Sequence, residues 1–383
     1  MIYLDHASAT PVDSAVLDAM RPYWQDYFYN PSGLYRASRE IKRELQNIRS
    51  RSASTIGAQA HEVYYTAGAT EANNMAIGGI AKMYPGRKIV ISQIEHDAVR
   101  RVAHEAAQTR EVQVDKEGRI SNKSLSEAID DETVLVSIEH VNSEIGTVQS
   151  LRKVAALVEQ IKDSRLQRGV ETPLYLHTDA SQAIDVLTFD VEALGVDMAT
   201  INGAKIYGPK QSGLLYVRKG VEVAPLLHGG GQERGIRAGT ENVAFAAGLA
   251  KALDIATEGR KERQKKYELL QSIWLEFIDN TDGIELNGSR RHRVPSNINI
   301  GLKGVDGEML VHYLDAGGVQ VSTGAACAAN HDSPSHVLKA IGLDEALIQG
   351  SLRLSFGRQT QKTDAKDAIK ILSKSVARLR SSQ

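Results

Sequence analysis

The sequence is poor in cysteine, aromatic residues and net charge. One cysteine, Cys327, excludes a framework of internal disulfides. A formal net charge of -1 gives no electrostatic reason to expect nucleic acid or an anionic membrane as a partner. Apolar runs stay short of the roughly 20 residues that span a bilayer. The first residues lack the basic region and apolar stretch of a signal peptide, so we expect a cytoplasmic protein.

The length, composition and residue patterns of the chain predict a large α/β fold. The 383 residues include 42% hydrophobic and 24% charged residues, which is enough for a large core and two domains. Strand-like segments alternate with helical ones, which favours a mainly parallel sheet with helices on both faces. The predicted strands are 62–66, 88–92, 112–114, 134–138, 173–177, 198–201 and 213–217. The predicted helices are 36–57, 71–80, 98–107, 125–129 and 151–161.

A different pattern follows the last of these strands. Residues 242–280 predict one long helical run that leads away from the sheet. The remainder has strand-like segments at 296–300, 319–322 and 351–355, which indicates a smaller α+β domain. We therefore expect a large domain of residues 12–255 and a small domain made of residues 1–11 and 256–383.

A carboxylate and an amine follow two predicted strands. Asp179 ends a short buried strand, and Lys205 lies in a tight turn punctuated by glycine and proline. A lysine that forms a Schiff base and an aspartate that pairs with a pyridinium nitrogen are the two fixtures of a pyridoxal phosphate site. Most Asp and Lys residues are merely solvated, so these two alone are weak evidence for such a site. The polar groups at neighbouring strand ends strengthen the prediction.

Three further strand ends present such groups. Thr66–Glu71 follows a strand and opens a helix, where free backbone N–H groups and the helix dipole suit a phosphate. The alternative is an ordinary N-cap made by Thr70. His96 and Asn142 follow other strands, and Gln182 comes shortly after Asp179. Ligands of open α/β sheets collect at this edge.

Two residues of the C-terminal part also stand out. Cys327 lies among the small residues of Ser322–Asn330, which favour the exposure that a reactive thiol needs, although a lone cysteine is most often a buried apolar residue. Arg353 alternates with apolar residues on a predicted strand. A guanidinium in that setting either grips a ligand carboxylate or forms a structural ion pair.

These motifs together resemble the cysteine desulfurases, which are class V aminotransferase-like pyridoxal phosphate enzymes. The resemblance runs from Tyr3–Pro11 to Arg353–Arg358 and includes 68–71, 95–96, 140–142, 179–182, 205–210, 228–234, 237–240 and 324–327. It implies a fold-type I pyridoxal phosphate enzyme, with a large domain built on a mainly parallel sheet flanked by helices and a smaller α+β domain. The large domain would bind the cofactor, and the small domain would carry the Cys327 loop.

The resemblance also implies roles for individual residues. Lys205 would bind the cofactor as a Schiff base and move protons, Asp179 would pair with the pyridinium nitrogen, and His96 would stack on the ring. Cofactor-binding residues would be Ala69, Thr70, His96, Asn142, Asp179, Gln182, Asn202, Gly203, Lys205 and, from a partner subunit, Thr240. Substrate would be held by Asn30, Asn142 and Arg353. No metal is expected.

The reaction implied is the conversion of L-cysteine to L-alanine with transfer of sulfur to Cys327 as a persulfide. A homodimer would pass this sulfur to an acceptor protein for iron–sulfur cluster assembly or tRNA thiolation. The alternatives are a selenocysteine lyase and a catalytically weak member acting as an interaction module. The chain departs from the family at Ala204, where a histidine is usual, and at Asn202, where serine or threonine is usual.

Overall fold

The computed structural model describes residues 1–323 and 334–381. The strands are β1 Ile2–Tyr3, β2 Val63–Thr66, β3 Lys88–Ser92, β4 Gln108–Val112, β5 Thr133–Ser137, β6 Tyr175–Asp179, β7 Met198–Asn202, β8 Gly213–Val217, β9 Ile284–Leu286, β10 Asn297–Leu302, β11 Val319–Gln320, β12 Ser322–Thr323 and β13 Ser351–Ser355. The helices are α1 Ser14–Met20, α2 Pro22–Gln25, α3 Arg36–Thr55, α4 Ala69–Met83, α5 Asp97–Ala106, α6 Asn122–Ala128, α7 Leu151–Gln167, α8 Val191–Leu194, α9 Val243–Glu258, α10 Arg260–Asp279, α11 Gly307–Ala316, α12 His336–Ala340, α13 Glu345–Gln349 and α14 Lys362–Ser381.

A seven-stranded sheet with the order β2-β8-β7-β6-β5-β3-β4 forms the centre of the fold. Strand β8 runs antiparallel to both of its neighbours. The other described pairings within this sheet are parallel. Every residue of β5 and β8 is buried, as expected for strands covered on both faces. The prediction of a mainly parallel sheet flanked by helices is confirmed.

Alternate residues of β3 pack into different apolar clusters. Ile89 and Ile91 join the cluster that includes Ile77 of α4, whereas Val90 joins the cluster that includes Val158 of α7. Successive side chains of a strand point to opposite faces, so α4 and α7 cover opposite sides of the sheet. None of the helices in the described part of the chain is long and apolar enough to cross a membrane.

A second, antiparallel sheet has the order β12-β13-β10-β9. The N-terminal strand β1 pairs in parallel with β11, and Asp5 forms a bridge with Ser355 at the end of β13. The first residues of the chain therefore lie against its C-terminal part. This arrangement brings residues 5–8 close to Arg353.

Several predicted elements differ from the structure. The strand expected at 112–114 is β4, Gln108–Val112, which pairs with β3 although four of its five residues are polar. The helical run 242–280 is two helices that meet at Gly259, the C-cap of α9 and the N-cap of α10. The segment 319–322 forms two short strands, β11 and β12, and the short strands β1 and β9 were not predicted.

Candidate active site

Three of the polar groups predicted at strand ends line one cavity. Asn142, Gln182 and Lys205 line one cavity together with His6 and Ala7. Asp179 ends β6, and Lys205 lies in the 3₁₀ turn that directly follows β7, the neighbour of β6. Parallel pairing of β6 with β7 puts their carboxyl ends side by side.

The Lys205 amine is held by backbone carbonyls of the N-terminal segment. Lys205 Nζ donates to the carbonyl of Ala7 at 2.8 Å and also to the carbonyl of Ser8. Gln182 Nε2 donates to the same Ala7 carbonyl at 2.9 Å. The amine and the amide are thereby fixed beside one another, and both face residues 7–8.

The Asp179 carboxylate is buried and accepts two hydrogen bonds. Asn73 Nδ2 donates to Oδ2 at 2.7 Å, and the backbone N–H of Ser181 donates to Oδ1 at 2.9 Å. Asn73 is fully buried on α4 and was not predicted as a site residue. Its position on the same helical face as Ala76, Ile77 and Ile80 was the available signal, because a buried amide needs a polar partner.

The beginning of α4 has the features of an anion site. Its N-cap is Gly68, with φ 119° and no side-chain cap, so the alternative of Thr70 as the N-cap is wrong. Ala69 and Thr70 are the first two residues of the helix, where backbone N–H groups lack intrahelical acceptors. A Cβ on Gly213 would lie 2.6 Å from the Cα of Gly68, so the two chain segments meet at a distance that only glycine permits.

The turn that carries Lys205 is capped by the side chain of Asn202. Asn202 Oδ1 accepts the backbone N–H of Ala204 at 3.1 Å, which leaves the Nδ2 amide as the donor that this side chain can offer a ligand. Gly203 is buried, and a Cβ there would lie 2.1 Å from Ser212 Oγ. Thr10 Oγ1 donates to the carbonyl of Ala204 at 3.0 Å, which ties this turn to the N-terminal segment.

Asn142 is buried and makes four hydrogen bonds. Its Nδ2 donates to the carbonyl of Ile94 at 3.0 Å and to Glu139 Oε1 at 2.7 Å. Its Oδ1 accepts the backbone N–H groups of Glu144 and Ile145, both at 2.9 Å. The side chain thus fixes the turn after β5, and any bond to a ligand would replace one of these four.

Two buried glutamates lie behind this turn. Glu95 Oε1 accepts the backbone N–H of Glu139 at 2.8 Å. Burial, together with the charge of Asp179, raises the pKa of Glu139 to about 8, although the bond from Asn142 lowers it. Burial and the neighbouring Glu139 raise the pKa of Glu95 well above its usual value. No sequence pattern predicts a role for either carboxyl group.

His96 is the N-cap of α5. Its Nδ1 accepts the backbone N–H of Ala98 at 3.0 Å, which makes Nε2 the protonated nitrogen when the ring is neutral. The half-buried imidazole lies directly after Glu95 at the same edge of the sheet as Asp179.

Arg353 is buried on β13 with its guanidinium against the N-terminal segment. Nη2 donates to Asp5 Oδ1 at 2.8 Å and to Ser8 Oγ at 2.6 Å, and Nη1 donates to the carbonyl of Ser143 at 3.3 Å. Nε is buried with no hydrogen-bond partner among the described residues. A carboxylate is therefore already bound to this arginine, and it belongs to the chain itself.

Two predicted site residues lie away from these contacts. Asn30 is exposed, accepts the backbone N–H of Ser32 at 2.9 Å, and does not line the cavity around Lys205 among the described residues. Thr240 is exposed and lines a second cavity with Ala67 and Gly213. Cys327 lies outside the described residues, so its role stays a prediction.

The chain matches the aminotransferase class-V family model over residues 2–367, and it belongs to that family. A relative in Dictyoglomus turgidum, cysteine desulfurase IscS, is 38% identical and covers 99% of this chain and 95% of its own length. Among solved structures, a NifS-like protein matches with a TM-score of 0.89 and 30% identity over 98% of this chain and 99% of its own. A structure described as SspA in complex with cysteine matches with a TM-score of 0.80 and 31% identity over 93% of this chain and 99% of its own.

Proposed function

We propose that this protein is a pyridoxal phosphate-dependent cysteine desulfurase. It would convert L-cysteine to L-alanine and retain the sulfur on Cys327 as a persulfide. Relatives that cover nearly the whole chain are named as cysteine desulfurases, which supports the proposal. The observation that carries it is the position of an amine and a buried carboxylate at adjacent strand ends, Lys205 after β7 and Asp179 at the end of β6.

The described residues fit the cofactor. The uncapped start of α4 at Ala69 and Thr70 offers N–H groups and a positive helix end to a phosphate. Asn202 Nδ2 would add a donor, since its Oδ1 already accepts the N–H of Ala204. Asp179 would accept a ring N–H, and the two hydrogen bonds that it receives fix the orientation of its side chain.

The remaining groups would act on the substrate. Bound pyridoxal phosphate supplies an electron sink for negative charge that develops on the substrate carbon. Lys205 would hold the cofactor through its amine and move the proton at the substrate α-carbon. Asp179 would keep the ring nitrogen protonated, Gln182 would bond the phenolic oxygen, and His96 would lie against the ring. Arg353, with Asn142, would bind the substrate carboxylate.

Sulfur transfer would be a displacement at sulfur. The thiolate of Cys327 attacks the sulfur of the bound cysteine, so a sulfur–sulfur bond forms and the carbon–sulfur bond breaks. The electron pair of the broken bond stays with carbon, which then takes up a proton and leaves in alanine. Cys327 is the only cysteine of the chain, so the persulfide has one possible location.

A second copy of the chain would complete the site by supplying Thr240. Large apolar side chains near the N-terminus remain exposed in one chain, including Trp24 at 55%, Phe28 at 65% and Leu34 at 89%. Exposed apolar surface of this kind is typical of an interface. The dimer would deliver sulfur to an acceptor protein, and residues 12–255 would form the cofactor-binding domain.

The test is an assay of the purified full-length protein with pyridoxal phosphate, L-cysteine and a thiol reductant. We expect alanine and sulfide in equal amounts. Borohydride should trap the cofactor covalently on the parent protein and leave none on the Lys205→Ala variant. An adduct on a different lysine, or a protein that binds no cofactor, would contradict the proposal.

A further inference from the structure

The N-terminal residues 5–8 contact three of the proposed site residues at once. The carbonyls of Ala7 and Ser8 accept hydrogen bonds from Lys205, and the carbonyl of Ala7 also accepts one from Gln182. Asp5 and Ser8 bind Arg353 through a carboxylate and a hydroxyl. Three residues of this short segment thus contact the amine, the amide and the guanidinium assigned above to cofactor and substrate.

The contact with Arg353 is the most specific of these. Arginine grips a carboxylate bidentately through two adjacent nitrogens, either Nη1 with Nη2 or Nε with Nη2. Nη2 belongs to both pairs, and here it already donates to Asp5 and Ser8. Nε is buried and lacks a hydrogen-bond partner among the described residues. The chain's own carboxylate thus holds the nitrogen that any bidentate ligand needs, while the adjacent N–H is left unsatisfied.

The side chain of Asp5 can leave Arg353 without displacing the backbone around it. The side chain of Asp5 is 19% exposed, whereas that of Arg353 is 5% exposed, so an incoming ligand reaches the carboxylate side of the pair. The backbone of Asp5 is anchored separately, because Tyr3 Oη donates to its carbonyl at 3.0 Å and Asp5 forms a bridge with Ser355. Ser8 Oγ donates to Asp5 Oδ1 at 2.9 Å and thereby helps to hold the carboxylate against Arg353.

We propose that Asp5 competes with the substrate carboxylate for Arg353. The substrate carboxylate displaces Asp5 from Arg353 and then binds Nη2 together with Nε. Asp5 would thereby make the site specific for ligands that carry a free carboxylate. Ligands with a carboxylate can displace it and satisfy Nε, whereas amides or esters, which lack the charge, are rejected. The substrate class, an amino acid with a free carboxylate, rests on the proposed function, but the exchange itself concerns only Asp5, Ser8 and Arg353.

The effect on binding follows from competition. A site that is occupied internally about nine-tenths of the time shows an apparent Kd raised about tenfold. Asp5→Asn retains the shape of the side chain and removes its charge, which weakens its hold on the guanidinium. We therefore expect L-alanine to bind about tenfold more tightly to Asp5→Asn than to the parent protein, and L-alaninamide, which lacks the carboxylate, to show no such gain.

The experiment titrates full-length protein with L-alanine and L-alaninamide by calorimetry, with and without added pyridoxal phosphate. The matched control is Asp18→Asn, which removes the same charge from an exposed pair with Arg21 and should leave both affinities unchanged. Ser8→Ala frees one bond of Nη2 without altering charge, so it should also tighten L-alanine binding, by a few-fold. This second variant decides the matter if Asp5→Asn does not fold.

Unchanged or weaker L-alanine binding in Asp5→Asn, or in Ser8→Ala where the first variant is unfolded, would overturn the proposal. Such a result would make Asp5 a structural partner of Arg353. Calorimetry without cofactor reports the exchange even if the protein turns out not to bind pyridoxal phosphate. Failure of the proposed function and failure of this inference therefore give different results.

Discussion

Asn73 donates a hydrogen bond of 2.7 Å to Asp179, which links helix α4 to the end of strand β6. The same helix begins with Ala69 and Thr70, four and three residues earlier, at the proposed phosphate site. One helix therefore positions both the anion-binding N–H groups and the carboxylate assigned to the pyridinium nitrogen. Asn73 Oδ1 has no hydrogen-bond partner among the described residues, so the side chain is committed to Asp179 through its amide.

Replacing Asn73 should weaken cofactor binding. A hydrogen bond to a charged group contributes about 1.5–3 kcal/mol, so Asn73→Ala should raise the Kd for pyridoxal phosphate about tenfold to hundredfold. Asn73→Asp should be worse, because it sets a second carboxylate against Asp179. Spectrophotometric titration with the cofactor measures both. Asn47→Ala, at an exposed position on α3, is the control. Unchanged affinity in Asn73→Ala would show that this bond does not support the site.

The Glu139 carboxyl group should make stability depend on pH. Burial raises its pKa from 4.5 to about 8, so folding favours the protonated form. This contribution to the free energy of unfolding is fully present below the pKa that Glu139 has in the unfolded chain. It is lost as the pH rises through about 8. Chemical denaturation of the parent and of Glu139→Gln between pH 5 and 9 should show the parent losing more stability, by up to about 1.4 kcal/mol per pH unit.

The control for the pH experiment is Glu127→Gln, because Glu127 is largely exposed on α6. Its stability should follow that of the parent across the whole range. Glu139→Gln should still lose some stability as pH rises, since the pKa of Glu95 is also raised by burial. Parallel curves for the parent and Glu139→Gln would contradict the assignment of a neutral Glu139.

Asn202 should partly replace the imidazole that cysteine desulfurases carry at the position of Ala204. The Oδ1 of Asn202 caps the turn at the N–H of Ala204, and its Nδ2 can donate to a phosphate. Asn202→Ala should therefore raise the cofactor Kd by about tenfold or more, because it removes a bond to a charged group. Ala204→His should lower the Kd. Equal Kd values for the cofactor in the parent and in Asn202→Ala would show that Asn202 does not replace the missing imidazole.

Acidic substitutions on the exposed apolar surface should separate the proposed dimer. Trp24→Glu combined with Phe28→Glu places two charges among exposed aromatic residues. We expect a monomer in sedimentation velocity and weaker cofactor binding, because Thr240 of the second copy would be lost. Leu166→Glu, at a residue that is 80% exposed on α7, is the control and should leave the assembly unchanged. A fully active monomer of the parent protein would rule out the shared site.

The sequence predicts the strands that are buried on both faces better than those at edges. The bounds of β3, β8 and β13 match their predictions because these strands combine apolar runs with clear turns. Strand β4 was misplaced because Gln108–Val112 is mostly polar, and its pairing with β3 decides its structure. The long helical prediction failed at Gly259 because both flanking segments have helical periodicity.

The candidate site shows the same division. Lys205, Gln182 and Asp179 could be proposed because each lies at or shortly after the end of a strand with a recognisable turn. The bond from Asn73 to Asp179 and that from Arg353 to Asp5 join residues 106 and 348 positions apart. Local patterns carry no information on such pairs, which depend on how the sheet and the N-terminal segment come together. The buried pair of Glu95 and Glu139 could not be predicted from the sequence, because glutamate is rarely buried.

The central claim, sulfur transfer to Cys327, is tested most directly by mass spectrometry of the protein after reaction with L-cysteine. The cofactor-loaded parent should gain one sulfur atom on the peptide that contains Cys327, with one alanine formed for each sulfur retained. Cys327→Ser should bind cofactor like the parent and gain no sulfur. Alanine production without sulfur on Cys327 in the parent, or persulfide on the Cys327→Ser variant, would contradict the account.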